Sequence, residues 1–120
     1  MTASERATQI WSVLALAASN RRVLTYDILA QLTGVARQGL GQLLEPIQSY
    51  CLLNGLPPLT ILVVRKDNGL PGSGFSPTNE IPANQLRVFE FDWRTHGCPG
   101  PERFGDAASQ RPSNAGRDPQ

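Results

Sequence analysis

Arginine, lysine and glutamine side chains in two separate segments have the chemistry needed to contact nucleic acid. Arg37, Gln38 and Gln42 lie near the start of a predicted helix, and such side chains form paired hydrogen bonds with the edges of guanine and adenine. Arg65 and Lys66 lie just before an Asn-Gly pair that is typical of hairpin turns, which places them at a tip that suits a phosphate contact. A solvated helix face and a charged hairpin end that prevents edge pairing are the alternative interpretations.

Two more basic residues, Arg21 and Arg22, precede a short helix that is expected to begin at Tyr26. The free main-chain N–H groups at a helix N-terminus favour an anion. Arg21 and Arg22 therefore indicate a phosphate site, although a solvated connection would have the same composition. If these three clusters share one surface, nucleic-acid binding is the favoured function, and duplex DNA is the expected partner.

Residues for catalysis or for metal binding are scarce. The chain has one histidine and two cysteines, so His96 and Cys98 would need carboxylates or a second chain to complete a zinc site. We find no combination of nucleophile, base and orienting group. The glycine-rich residues 69–74 lack the following Lys-Ser/Thr pair and helix of a phosphate loop. We therefore predict a non-enzymatic protein with no cofactor and no metal.

Composition limits the class of protein further. The 120 residues include 11 basic and 10 acidic side chains, a formal net charge of +1. This near balance argues against nucleic-acid binding by bulk electrostatics alone. Two cysteines suggest no disulfide framework, which favours a reducing compartment, and no apolar run approaches the roughly 20 residues of a membrane span. We expect a cytoplasmic protein with no membrane partner.

Three helices are expected in the first half of the chain. Residues 4–19 carry apolar side chains at helical spacing, with Ser4 as the cap. Thr25 caps a short helix over residues 26–33, and Gly34 stands where a helix ends in the left-handed conformation. A longer helix over residues 36–54 contains Pro46, which predicts a kink or two helices that meet near residue 44. Helix, sharp turn and helix indicate a helix-turn-helix.

Two strands and a hairpin are expected in the second half. Residues 59–64 are apolar and β-branched, and residues 87–93 alternate aromatic side chains that are expected to face the core. The Asn-Gly pair predicts a hairpin turn, with residues 72–75 on its return side. Residues 1–96 thus predict an α+β fold: a winged helix-turn-helix-like single domain with N-terminal helices and a small antiparallel sheet. Residues 97–120 are polar and rich in glycine and proline, with Phe104 as their one large apolar residue. They predict a flexible tail, or one that orders only on a partner.

Residues 25–75 resemble a known DNA-binding domain. The run from Thr25 to Ala30 is followed by Arg37 and Gly41. Leu-Val-Val then stands at 62–64, Asn-Gly at 68–69 and Gly-Phe at 74–75. This order resembles the C-terminal winged-helix domain of the O6-alkylguanine-DNA alkyltransferases and the alkyltransferase-like proteins. The resemblance covers less than half of the chain, and its motifs are specific only in combination.

The resemblance implies roles for residues near the first two helices. Tyr26 would contact a DNA phosphate, and Arg37 would occupy the place of the family's base-displacing arginine. The spacing from Arg37 to Gly41 is one residue longer than in the family. Gln38 is therefore the alternative occupant of that place.

The chain departs from the family at the reactive position. The family's acceptor cysteine falls on Thr60, and its histidine–arginine pair falls on Ile61 and Leu62. A threonine has no thiolate that could accept an alkyl group at neutral pH. We therefore expect a DNA-binding scaffold without alkyl transfer.

A protein-interaction module is the alternative function. The near-neutral charge favours it, and the leucine-rich residues 40–53 or the tail at 97–120 would hold the protein partner. A small protein of this kind would suit a bacterial or phage defence or counter-defence system, as a regulator or inhibitor.

Overall fold

Six α-helices, two 3₁₀-helices and two short strands form the parts of the chain that the computed structural model describes, residues 2–72 and 80–109. The α-helices are α1 (Ala3–Ser19), α2 (Tyr26–Thr33), α3 (Leu40–Leu53), α4 (Ile81–Glu90), α5 (Trp93–His96) and α6 (Pro101–Ser109). The strands are β1 (Leu24–Thr25) and β2 (Val63–Val64), and the 3₁₀-helices are Arg37–Gly39 and Leu59–Leu62. The fold is mixed and mostly helical, which agrees with the predicted α+β class.

Helix α1 begins slightly earlier than predicted, because Thr2 rather than Ser4 is its cap. The Thr2 hydroxyl accepts a hydrogen bond from the Glu5 N–H at 3.1 Å, and the Glu5 carboxylate accepts one from the Thr2 N–H at 2.8 Å. This reciprocal pair satisfies two main-chain donors that a helix leaves free. Arg6 then donates to the main-chain oxygen of Thr33 at 2.6 Å, which ties α1 to the end of α2.

The local signals around α2 are confirmed. The Thr25 hydroxyl accepts a hydrogen bond from the Ile28 N–H at 3.1 Å. Gly34 ends the helix with a φ of 75°, a left-handed conformation that costs glycine little. The following segment differs from the prediction in its start, since a 3₁₀ turn precedes α3. Of the two alternatives at Pro46, two separate helices are wrong, because α3 runs through Pro46 as one helix.

The sheet is parallel, so the predicted antiparallel sheet is wrong. Leu24 pairs with Val63 and Thr25 with Val64. In the predicted strand 59–64, the first four residues form a buried 3₁₀-helix and the last two form β2. An apolar run signals burial, and it does not distinguish a strand from a buried helical turn. The remaining return side of the predicted hairpin, residues 73–75, lies outside the described residues.

Residues 87–93 do not form the predicted strand. They include the last turn of α4 and the start of α5, and Pro82 near the start of α4 suits a helix. The aromatic residues contribute to the core as expected, but from α4, from α5 and from the bend between them. Trp93 is buried and its indole N–H donates to the main-chain oxygen of Val88 at 2.8 Å, while Phe89 and Phe91 pack partly buried against the core.

The prediction of a flexible tail from residue 97 is wrong for residues 97–109. Helix α6 packs against α3 and α1, and Phe104 is fully buried. Phe104 and Ala107 stand on the same face of α6 and are its buried residues. The predicted boundary after residue 96 therefore cuts through one packed core, and residues 110–120 lie outside the described part of the chain.

Aromatic side chains form the centre of the core. The Trp11 ring contacts those of Tyr50, Trp93 and Phe104, with centroids 5.5, 5.4 and 5.8 Å away. Cys51 is buried in the same core, and burial raises the pKa of its thiol to about 12. Within residues 2–72 and 80–109, no helix combines the length and the hydrophobicity required to cross a membrane.

Candidate nucleic-acid interface

Two of the predicted binding residues leave the sheet at the same edge. Tyr26 directly follows β1, and Arg65 directly follows β2. Because Thr25 pairs with Val64 in a parallel register, these two residues begin side by side although 39 positions separate them. Burial raises the pKa of the Tyr26 hydroxyl. The nearby positive charges of Arg65 and Arg37 partly offset that rise.

A tight turn after β2 presents charged side chains to solvent. The Arg65 N–H donates to the main-chain oxygen of Leu70 at 2.8 Å, and the Gly69 N–H donates to that of Arg65 at 2.9 Å. The Asn68 side chain accepts from the Leu70 N–H at 2.9 Å, and Gly69 has a left-handed φ of 69°. The Asn-Gly pair thus performs the turn chemistry predicted for it. The turn leaves Arg65, Lys66 and Asp67 exposed.

The 3₁₀ turn before α3 places Arg37 opposite the N-terminus of α2. The Arg37 Nε lies 3.3 Å from Oδ1 of Asp27, and the two side chains are 59% and 48% exposed. Exposed ion pairs of this kind contribute little to stability, since water screens them and both side chains lose rotamer freedom. Arg37 is therefore free to exchange the carboxylate for a stronger anionic ligand.

These segments enclose an open cleft of about 870 Å³. The residues that line it are Tyr26, Asp27, Arg37, Gln38, Gly41, Arg65, Lys66, Asp67 and Gly72. We call this site the basic cleft, because three cationic and two anionic side chains leave it with one net positive charge. Gly41 adds no side chain to the wall, and a Cβ there would meet open space. The cleft therefore combines donors for an anion with room for a ligand.

The structure brings together five of the eight predicted binding residues. Tyr26, Arg37, Gln38, Arg65 and Lys66 all line the basic cleft. The remaining three predicted residues are exposed but are not among its described lining residues: Gln42 in α3, and Arg21 and Arg22 in the connection between α1 and β1.

Arg21 has an unusual conformation in that connection. Its φ is 54°, in the left-handed region where residues other than glycine are strained. The Arg21 and Arg22 N–H groups donate to the main-chain oxygens of Ala18 and Ala17, at 3.0 and 2.9 Å. The left-handed residue thus ends α1, and the side chain projects from a fixed turn.

Four lining residues escaped the sequence-based prediction. Asp27 lies in the first turn of α2 and Asp67 in the turn after β2, and neither is among the residues predicted to bind nucleic acid. Gly41 and Gly72 contribute space rather than functional groups. The missing information was the parallel pairing of β1 with β2, which brings the turn after β2, with residues 67 and 72, beside the start of α2.

Thr60, which the resemblance aligns with a reactive cysteine, lies apart from the basic cleft. It is 4% exposed within the second 3₁₀-helix and is not among the lining residues. Its hydroxyl has no hydrogen-bond partner among the described residues. Ile61 and Leu62 beside it are fully buried. These three residues accordingly belong to the core.

The described residues contain no group of three or more histidine, cysteine, aspartate or glutamate side chains placed to hold a metal ion. Among the described residues that line the basic cleft there is no cysteine, serine, threonine or histidine. Comparison of the chain with family models, with curated proteins and with solved structures gave no match.

Proposed function

We propose that the protein is a non-enzymatic DNA-binding protein, and that α2, α3 and the turn after β2 act as a winged-helix-like unit that holds duplex DNA in the basic cleft. One observation carries this proposal. Four side chains whose chemistry suits nucleic acid, at positions 37–38 and 65–66, line a single cleft. Convergence of two of the three predicted clusters is not expected if each cluster were only a solvated surface.

The charge of the cleft suits a polyanion. Arg65 and Lys66 come from the turn after β2 and Arg37 from the 3₁₀ turn before α3, so a phosphate in the cleft meets cations from two segments. Arginine also forms forked, charge-assisted hydrogen bonds with phosphate oxygens. Because the whole chain carries a net charge of only +1, affinity must come from this local arrangement rather than from the overall field.

Two side chains in the 3₁₀ turn directly before α3 supply base recognition in this proposal. Arg37 matches the acceptors of guanine, and Gln38 matches the donor–acceptor pair of adenine. Both stand at the N-terminal end of the helix that a helix-turn-helix places in the major groove. Gln42 lies one turn further along, in α3, and its side chain is the third candidate for a base contact in this proposal.

A titration with matched variants tests the proposal. The double variant R37A/R65A removes one cation from each of two segments that line the basic cleft. The control R87A/R103A removes the same charge from exposed positions on α4 and α6. We expect R37A/R65A to weaken binding of a labelled duplex at least about tenfold, and to lower the slope of log affinity against log salt by about 0.9 for each lost phosphate contact.

The matched control decides between local contact and overall charge. R87A/R103A should leave both the affinity and the salt slope close to those of the wild type. Equal losses in the two double variants would contradict the assignment of the basic cleft. Absence of salt-dependent binding in the wild type would contradict the proposed function itself.

A protein-interaction module is the second candidate function. A second open cleft, of about 730 Å³, runs along α1 and α5, where Leu16 is 66% exposed. The apolar stripe expected on residues 40–53 lies largely in the core and leaves Leu52 and Leu53 exposed at its end. A pull-down that recovers a protein partner and no nucleic acid would favour this candidate, and the opposite result would count against it.

A further inference from the structure

Tyr26 and Gly72 fit each other closely. A Cβ on Gly72 would fall onto the hydroxyl of Tyr26 and would stand 2.8 Å from its Cζ and 3.1 Å from its Cε2. Such distances are shorter than van der Waals contact, so the Tyr26 ring occupies the space that a side chain at position 72 would need. Gly72 is itself buried. The Tyr26 ring therefore fits at this place because position 72 has no side chain.

This contact joins the turn to α2. Gly72 follows Pro71, which pairs with Val64 in an antiparallel bridge, so it lies on the return side of the turn that carries Arg65 and Lys66. The hydrogen bonds of the turn run within residues 65–70. The Tyr26 ring packs against the core from the first position of α2, so it reaches the turn from outside that hydrogen-bonded segment.

We propose that Tyr26 is a positioning residue, whose ring seats on Gly72 and holds Arg65 and Lys66 against the mouth of the basic cleft. This role rests on the proposed function and differs from the one that the family resemblance implies, in which the hydroxyl itself contacts phosphate. The hydroxyl stands against the backbone at Gly72. Its raised pKa agrees with its partial removal from water.

Four variants test this role: Y26F, Y26A, G72A and Y26A/G72A. Y26F keeps the ring and should bind a labelled duplex within about twofold of the wild type. Y26A removes the ring, and G72A displaces it, so each should weaken binding about tenfold, the size of one lost charge-assisted contact. The double variant should bind no worse than Y26A, because the space left by the ring accepts the new methyl group.

Amide hydrogen exchange at Arg65 supplies a readout that needs no nucleic acid. The Arg65 N–H donates to Leu70 inside the turn, and its exchange should accelerate in Y26A and in G72A but not in Y26F. If G72A does not fold, the comparison of Y26A with Y26F still decides. Circular dichroism at the same temperature confirms that each variant retains its helices.

The outcomes separate the two proposals. A loss of affinity in Y26F as large as in Y26A would show that the hydroxyl contacts the ligand, and the positioning role would be wrong. Unchanged exchange at Arg65 in Y26A would overturn that role in the same way. If the wild type binds no duplex while Arg65 exchange accelerates in Y26A, the proposed function fails and the positioning of the turn by Tyr26 stands.

Discussion

Replacement of Phe104 by alanine tests whether residues 101–109 belong to the core. Phe104 is fully buried, and its ring centroid lies 5.8 Å from that of Trp11 and 5.6 Å from that of Tyr50. Truncation of a buried phenylalanine costs about 3–5 kcal/mol, because apolar surface is lost and a cavity remains. A domain of this size has a total stability of about 5–15 kcal/mol, so the variant should be close to unfolding at moderate temperature.

Urea denaturation followed by tryptophan fluorescence measures this loss, since Trp11 contacts Phe104 directly. Phe89 is the matched control, because it is only partly buried on α4, and F89A should cost about 1–2 kcal/mol. In thermal unfolding F104A should lower the Tm by roughly 12 °C or more, at about 4 °C per kcal/mol. A change below about 0.5 kcal/mol for F104A would refute the docking of α6.

Two further pairs of variants separate alternatives within the fold and within the cleft. Thr60 and Thr33 are equally buried, but the Thr33 hydroxyl donates to a main-chain oxygen at 2.8 Å, whereas that of Thr60 has no partner among the described residues. By urea denaturation, T60V should raise the free energy of unfolding by about 1 kcal/mol and T33V should lower it by about 1 kcal/mol. In the basic cleft, D27N removes the carboxylate that pairs with Arg37, so affinity for duplex DNA at low salt should rise about three- to tenfold, and the gain should shrink as salt screens the charge. D67N changes the same charge in the cleft without releasing Arg37 and should give a smaller gain.

Opposite signs would contradict these expectations. A destabilised T60V would show that the hydroxyl finds a partner in solution. Weaker DNA binding by D27N would show that Asp27 orients Arg37 for the ligand rather than competing with it. Equal gains in DNA affinity from D27N and D67N would show that the lower negative charge of the cleft, and not the release of Arg37, causes the gain.

The parts of the fold that the sequence predicted well are those decided by neighbouring residues. The Thr25 cap and the Gly34 stop depend on hydrogen bonds and on φ within one helical turn. The turn at Asn68 and Gly69 depends on one side-chain acceptor and one left-handed residue. These features need no information from the rest of the chain.

The errors occurred where tertiary packing decides the backbone. Phe89, Phe91 and Trp93 alternate as in a strand, yet a strand preference mostly reflects a half-buried surface, and a helix followed by a bend buries the same side chains here. Pro82 was the contrary signal, since proline is favoured in the first turn of a helix.

The C-terminal helix shows how average composition can mislead. Residues 97–120 are polar as a whole, but Pro101 opens a helix, and Phe104 and Ala107 stand three residues apart on its buried face. A local helical spacing was therefore present within a segment whose composition suggested disorder. One large aromatic side chain was enough to anchor it to α1 and α3.

The sequence predicted the candidate residues of the basic cleft but not their grouping. Residue chemistry alone was enough to select Arg37, Gln38, Arg65 and Lys66 as candidates, because arginine, lysine and glutamine side chains commonly contact bases and phosphates. Their grouping depends on a parallel pair of two-residue strands, which is too short to leave a sequence pattern.

Chemical-shift mapping of the isotope-labelled protein during titration with a short DNA duplex tests the central claim most directly. We predict that the largest changes fall on the amides of residues 26–27, 37–41, 65–70 and 72, together with the side-chain signals of Arg37 and Arg65, and that added salt reverses them. Changes centred on the α1–α5 cleft near Leu16, or no change at all, would contradict the account.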